Sequence, residues 1–169
     1  LYILFGLFVI VGATNSVNLT DGIDGLASSI TAIVGGFFAV IAFAFSLCDV
    51  AVLSGIAIGC CIGFLVYNFY PARVFMGDTG SLFLGGLVVG LAFLVNSPLI
   101  IVLAGIVYIA ETFSVILQVA SFKLTGKRIF KMSPIHHHFE KSGWSEIKIV
   151  AIFSLVTLIF CIISYWGMV

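Results

Sequence analysis

Charged side chains are scarce in this sequence, and their placement restricts its fold more than any other feature. No Lys, Arg, Asp or Glu occurs from Leu1 to Thr20, Gly25 to Cys48, Val50 to Ala72, Thr79 to Ala110 or Ile149 to Val169. A helix that crosses a bilayer needs about 20 predominantly apolar residues. Inside the bilayer its backbone must also be satisfied internally. The chain has 169 residues, of which 62% are hydrophobic and 8% charged, against about 25% charged in an average soluble domain. With a mean hydropathy of +1.32, it cannot cover itself with polar groups in water. It therefore reads as an integral membrane protein: an all-α, polytopic transmembrane helical bundle of about six helices, forming a single membrane domain over 1–169.

The apolar segments are approximately 1–14, 26–48, 50–69, 81–96, 98–122 and 147–168. Segment 1–14 is shorter than a full span, starts without Met, and has neither a charged n-region nor a convincing cleavage site, so it does not read as a signal peptide. The expectation is that residues precede it and that this is the C-terminal portion of a longer chain. Cys48, Cys60, Cys61 and Cys161 show no CxxC spacing and read as small buried apolar residues. Gly55, Gly59 and Gly63, and likewise Gly86 and Gly90, are spaced by four and read as close helix-packing positions. There is no P-loop and no GxGxxG. The formal net charge of zero gives no pointer to nucleic acid.

That zero conceals an asymmetry. The connections are 15–25, a turn near Asp49, 70–80, a turn at Asn96-Ser97-Pro98, and 123–146, and they must alternate between the two membrane faces. All seven basic residues (Arg73, Lys123, Lys127, Arg128, Lys131, Lys141 and Lys148) fall in or beside 70–80 and 123–146. Lys and Arg mark cytoplasmic loops, so 15–25, 70–80 and 123–146 are expected in the cytoplasm. The C-terminus is then outside, with Tyr165 and Trp166 in an interfacial belt.

These three connections hold the residues that carry chemistry. In the first, TNSVNLTDGIDG, Asn18, Asp21 and Asp24 are spaced by three and share one face if the region is helical. Paired carboxylates suit a hydrated Mg²⁺ that phosphates also bind. They would equally accept hydrogen bonds from a sugar or base, and Thr20 or Asp21 could instead simply cap the next helix. In the second, NFYPARVFMGDTGS, Asp78 precedes an apolar helix whose start is expected near Gly80. A helix N-terminus favours phosphate. Phe75 can stack on a planar base and Asn68 can hydrogen-bond one, although an exposed Phe also serves as an interfacial anchor. The third carries Lys and Arg followed by SPIHHHFEKSGWSE. His136, His137 and His138 are adjacent, point in different directions and do not form a tetrahedral zinc set. Beside a phosphate site they can donate hydrogen bonds or move protons. Within the 98–122 segment, Gln118 lies near enough to the cytoplasmic end to reach such a site. Glu111 lies deeper, where a structural hydrogen bond is expected. Together the loops fit phosphoryl-type transfer at a membrane surface, with a metal neutralising charge.

NLTDGIDGLA (18–27), NFYPARVFMGDTGS (68–81) and PIHHHFEKSGW (134–144) resemble the signature loops of the phospho-N-acetylmuramoyl-pentapeptide-transferase family, the MraY translocases, in the family's order. The first two also resemble the wider polyprenyl-phosphate sugar-1-phosphate transferase superfamily, whereas HHHFE–GW is more specific to the muramoyl-pentapeptide branch. The resemblance implies transfer of phospho-MurNAc-pentapeptide from its UDP carrier to undecaprenyl phosphate, giving lipid I and UMP in peptidoglycan synthesis, with Mg²⁺ as cofactor. It implies a bacterial inner-membrane location, membrane lipid as surroundings, and leaves a homodimer open. Carried over by motif, Asp78 matches the metal-binding aspartate. Asn18, Asp21 and Asp24 match nucleotide-site polar residues, with the two carboxylates also placed in the catalytic set. Phe75 matches the uracil-stacking aromatic, with Asn68 nearby. Gln118 and His136–His138 match further substrate-site and catalytic positions. The family has roughly ten transmembrane helices and an early loop with an adjacent Asp-Asp pair, which this sequence lacks. A missing N-terminal half is thus an expected partner, and the 169 residues alone are expected to be catalytically inert.

Two other readings remain. A related transferase would use UDP-N-acetylglucosamine as donor. A non-enzymatic transporter would place ionisable groups near the bilayer midplane, where only Glu111 is deep here.

Overall fold

The computed structural model describes residues 1–168. Among them there are helices and no strands, in the order α1 (Tyr2–Thr20), α2 (Leu26–Ala44), α3 (Cys48–Asn68), α4 (Gly77–Leu94), a single 3-10 turn (Pro98–Ile100), α5 (Ile101–Ala104), α6 (Ile106–Thr125), α7 (Ile135–Glu140) and α8 (Glu146–Trp166). Six of these are long and apolar enough to cross a membrane: α1, α2, α3, α4, α6 and α8. The chain is a multi-pass membrane protein.

The helix α2 is the most enclosed of the six, packed against α3 and α8. Its Leu26, Ile30, Phe38 and Ile41 are fully buried. On the other side α1 pairs with α4 and α6. Two polar contacts lock this apolar interior in register. The Thr31 and Tyr108 hydroxyls share a hydrogen bond of 2.8 Å between α2 and α6. Thr112 Oγ1 donates to Ser16 Oγ at 2.7 Å, joining α6 to α1. Where water is absent, each hydroxyl needs such a partner.

Three expectations are corrected. First, α1 does not stop near residue 14 but runs to Thr20. Its polar side chains are absorbed by the helix itself: Thr14, Asn15, Ser16 and Thr20 each donate to the carbonyl four residues back. Second, the 98–122 segment is not one helix. It breaks at Gly105, where an added Cβ would lie 2.7 Å from the Ile101 carbonyl oxygen. Third, the closest helix approaches among the described residues are not at the spaced glycines. A Cβ at Gly55, Gly59, Gly63 or Gly90 meets nothing within 4 Å among the described residues, and Gly86 meets only Thr14 Cγ2 at 4.0 Å. The close approaches lie elsewhere, at Gly35, 3.2 Å from Ile58 Cγ1, and at Gly85, 2.6 Å from Thr14 Cα. Of the cysteines, Cys61 and Cys161 are buried as expected, but Cys48 and Cys60 face outward.

Candidate active site

The helix ends decide where the polar residues meet. Helix α1 closes at Asp21, whose N–H donates to the Asn18 carbonyl. After a four-residue turn, Gly25 starts α2 from a left-handed backbone (φ +77°), which glycine adopts without steric cost. Helix α3 stops at Asn68, and Phe69 is extended ahead of Pro71. Helix α4 begins at Gly77, three residues earlier than expected, so Asp78 sits within its first turn. A carboxylate there faces the positive end of the helix dipole.

Side chains stitch these ends together. Asn18 Nδ2 donates to Asp78 Oδ1 and to Ser81 Oγ, each at 2.9 Å, tying α1 to the start of α4. Asp24 Oδ2 accepts from Ala72 N at 2.8 Å. Asn68 is buried; its Oδ1 accepts from Gly25 N at 3.1 Å and its Nδ2 donates to the Val74 carbonyl at 2.9 Å. Glu146, at the start of α8, accepts from Asp24 N at 3.2 Å. Connections 15–25, 70–80 and 123–146 therefore lie at one end of the bundle. Asn18, Asp21 and Asp24 do not share a helix face, because the helix ends at Thr20. They converge through the turn that follows.

The result is a cleft of about 290 Å³ lined by Asn18, Asp21, Gly22, Ile23, Asp24, Asn68, Phe75, Met76, Gly77 and Asp78. Six residues singled out in the sequence meet here. Three are carboxylates, and the lining includes no Lys, Arg or His. Asp24 and Asn68 are occupied in holding the walls. Asp21, Asp78 and the exposed Phe75 ring are the groups left to face a ligand. Burial, and secondly the charge of Asp78, push the Asp21 carboxyl up from 3.8 to about 6. A carboxylate whose ionisation is opposed this way by a neighbouring charge is relieved by a cation. No cluster of three or more His, Cys, Asp or Glu capable of caging a metal occurs among the described residues. Such a site fits Mg²⁺, which keeps waters and takes one or two protein carboxylates plus phosphate oxygens.

The histidine run splits three ways. His136 is fully buried under the acidic turn, where a Cβ on Gly22 would collide with its Nε2. Its Nδ1 lies 3.1 Å from Glu111 Oε2, off the line a hydrogen bond needs, and the same oxygen accepts from His136 N at 3.4 Å. Glu111 thus has the structural partner expected of it. His137 Nδ1 pairs with Glu140 Oε2 at 2.7 Å. His138 Nδ1 accepts from Lys131 N at 3.1 Å. Gln118 is spent on the loop after α6: its Oε1 accepts from Ile129 N and Phe130 N, and its Nε2 donates to the Phe130 carbonyl. None of these four side chains lines the acidic cleft. Sequence reasoning passed over Ser81, Gly22 and Glu146. For Glu146 a signal existed: a first-turn acid directly after the third motif.

Residues 1–96 match the family model described as "Glycosyl transferase family 4". The chain is 58% identical over 168 residues to the phospho-N-acetylmuramoyl-pentapeptide-transferase of Clostridium novyi (strain NT), covering 99% of this chain and 52% of that protein. It is 57% identical over 164 residues to the protein of the same name from Clostridium perfringens (strain 13 / Type A), covering 97% of this chain and 52% of the relative. For the one from Clostridium acetobutylicum the figures are 51% over 168 residues, 99% and 53%. The chain spans about half the length of these curated relatives. With the family model extending over more than half of its residues and taking in both the Asn18–Asp24 turn and Asp78, the chain belongs to glycosyl transferase family 4.

Proposed function

We propose that the complete protein transfers phospho-MurNAc-pentapeptide from its UDP carrier to undecaprenyl phosphate, giving lipid I and UMP. The observation that carries this reading is the acidic cleft. Asp21 and Asp78 stand together at the end of a membrane bundle, Phe75 is exposed beside them, and no basic side chain lines the wall. A pyrophosphate would be repelled by bare carboxylates, so the donor would enter with Mg²⁺. Asp78 and Asp21 would hold the ion, which when bound neutralises the charge on the transferring phosphoryl group. Phe75 offers a face for the uracil ring. Asn18 fixes the Asp78 carboxylate by one oxygen and leaves the other free. The first-turn N–H groups of α4 present a positive dipole end to phosphate. All seven Lys and Arg fall in or beside connections at the cleft end, which supports a cytoplasmic site, an outside C-terminus and placement in the bacterial inner membrane. A lipid phosphate would then reach the site laterally from the bilayer.

The test is a transfer assay in membranes containing the complete protein, supplied with either UDP-MurNAc-pentapeptide or UDP-N-acetylglucosamine. Mg²⁺-dependent product from the first donor is expected. Preference for the second would move the protein to a sister activity. Full activity in chelator would remove the metal from the reading.

A further inference from the structure

The HHHFE–GW motif fills α7 and the turn into α8, yet it contributes no side chain to the lining of the acidic cleft. Its parts act first on one another. Gly143 turns the chain from a left-handed backbone (φ +93°). The turn folds Trp144 onto Phe139, stacked with ring centroids 4.6 Å apart, and Lys148 covers the Trp144 ring at 4.3 Å. Ser145 then caps α8, its Oγ accepting from Lys148 N. Glu146 lies three and four residues before Ile149 and Val150, so it shares their face of the helix. Both are buried, and α8 packs on α2. That face brings the Glu146 carboxylate to the turn from which α2 begins, where its Oε2 accepts from Asp24 N at 3.2 Å. Among the described residues this N–H has no other acceptor.

Asp24 and Gly25 form a hub. Glu146 holds the N–H of the first and Asn68 Oδ1 that of the second. On its far side, Asp24 Oδ2 accepts from Ala72 N at 2.8 Å, and Asn68 Nδ2 donates to the Val74 carbonyl at 2.9 Å. Ala72 and Val74 lead directly into Phe75. A line of contacts therefore runs from Glu146 in the third connection, through Asp24 in the first, to the exposed ring in the second. Asp78 is held separately, by Asn18. A first-turn acid also suits the helix dipole, but that role needs only the charge, whereas the contact with Asp24 N needs the full length of the glutamate side chain. We propose that Glu146 is a positioning residue for nucleobase binding: through Asp24 and Ala72 it holds Phe75 where a uracil ring can stack. The inference rests on the reading that Phe75 faces the uracil of a UDP donor.

The test is UMP binding to the complete protein in detergent, measured by calorimetry, with melting temperatures taken alongside. Glu146→Asp keeps the charge at the helix start and draws the oxygen back by one methylene. Its affinity for UMP should fall about tenfold, the order of one hydrogen bond to a charged group. Glu146→Gln keeps an oxygen at full reach and should stay within about threefold of the parent. Ser145→Ala weakens the cap of α8 and leaves the contact with Asp24 in place, so it should lower the melting temperature without changing UMP affinity. In a Phe75→Ala background, Glu146→Asp should cost less than about twofold, because the ring it positions is gone. Undiminished affinity in Glu146→Asp, an equal loss in Glu146→Gln or Ser145→Ala, or additive losses with Phe75→Ala overturns the proposal and leaves the transfer reading standing. Absence of UMP binding by the parent protein overturns both.

Discussion

Gly85 is two turns below Asp78 on α4, far from any ligand, yet it sets the spacing of the acidic cleft. A Cβ there would lie 2.6 Å from Thr14 Cα, 3.1 Å from the Ala13 carbonyl oxygen and 3.2 Å from Thr14 N. All three are backbone atoms of α1, held by that helix's own hydrogen bonds, so no side chain can swing aside. Ordinary contact begins at 3.4 Å, and Gly85→Ala must push the two helices apart by about 1 Å, an overpacking that costs ~1–3 kcal/mol. The gain in helix propensity returns at most ~1 kcal/mol; the Gly90→Ala control gains the same, so relative to it the full ~1–3 kcal/mol of overpacking remains. The same separation opens the Asn18–Asp78 and Asn18–Ser81 hydrogen bonds, both 2.9 Å, because Asn18 is one turn from Thr14. Thermal unfolding in detergent reads this out, with Gly90→Ala as the control, since its Cβ meets nothing within 4 Å. A melting temperature lower than the control's by about 2–12 °C is expected. If Gly85→Ala melts at or above Gly90→Ala, the α1–α4 contact does not govern the site.

Two further outcomes follow from the acidic cleft. The Asp21 carboxyl is raised to about 6 in the folded chain by burial and by Asp78, so the native state holds that proton more tightly than the unfolded chain does. Its contribution to stability is complete below about pH 4 and is lost as the pH rises through 6. Unfolding curves without divalent cation should therefore show stability falling over that window, and Asp21→Asn should flatten the fall; parallel curves for the two proteins would contradict the shift. Phe75 is 74% exposed, so Phe75→Ala should change stability by no more than about 0.5 kcal/mol. It should still weaken UDP-donor binding by the ~1–3 kcal/mol that a stacked base is worth, seen as a raised KM with little change in kcat.

The spans were legible because charge is excluded from the bilayer, and the charge-free runs of this chain are long. Their ends were less so. The polar letters of residues 14–20 look like a connection, but Thr14, Ser16 and Thr20 hide their hydroxyls in the helix's own carbonyls, a bond a hydroxyl residue makes equally well in a helix or a turn. The glycine stripe on α3 pointed outward because spacing by four marks a helix face without saying what stands opposite. Asn18, Asp21 and Asp78 could be singled out one by one as polar residues at a membrane edge. That Asn18 would grip Asp78 across 60 residues of sequence depends on α1 and α4 meeting at Gly85. Nor could the sequence distinguish the members of the histidine run, which differ only in what the fold sets against them: Glu111 and Gly22 around His136, Glu140 beside His137, Lys131 against His138.

Asp78→Asn in the complete protein tests the proposed metal role most directly. The amide keeps an oxygen that can accept from Asn18 Nδ2, so the α1–α4 bridge survives and the charge alone is removed. Mg²⁺-dependent transfer to undecaprenyl phosphate should fall by more than about 100-fold, with the melting temperature nearly unchanged. A near-normal rate with the same Mg²⁺ requirement would show that the cation and its phosphates are held somewhere other than at Asp78.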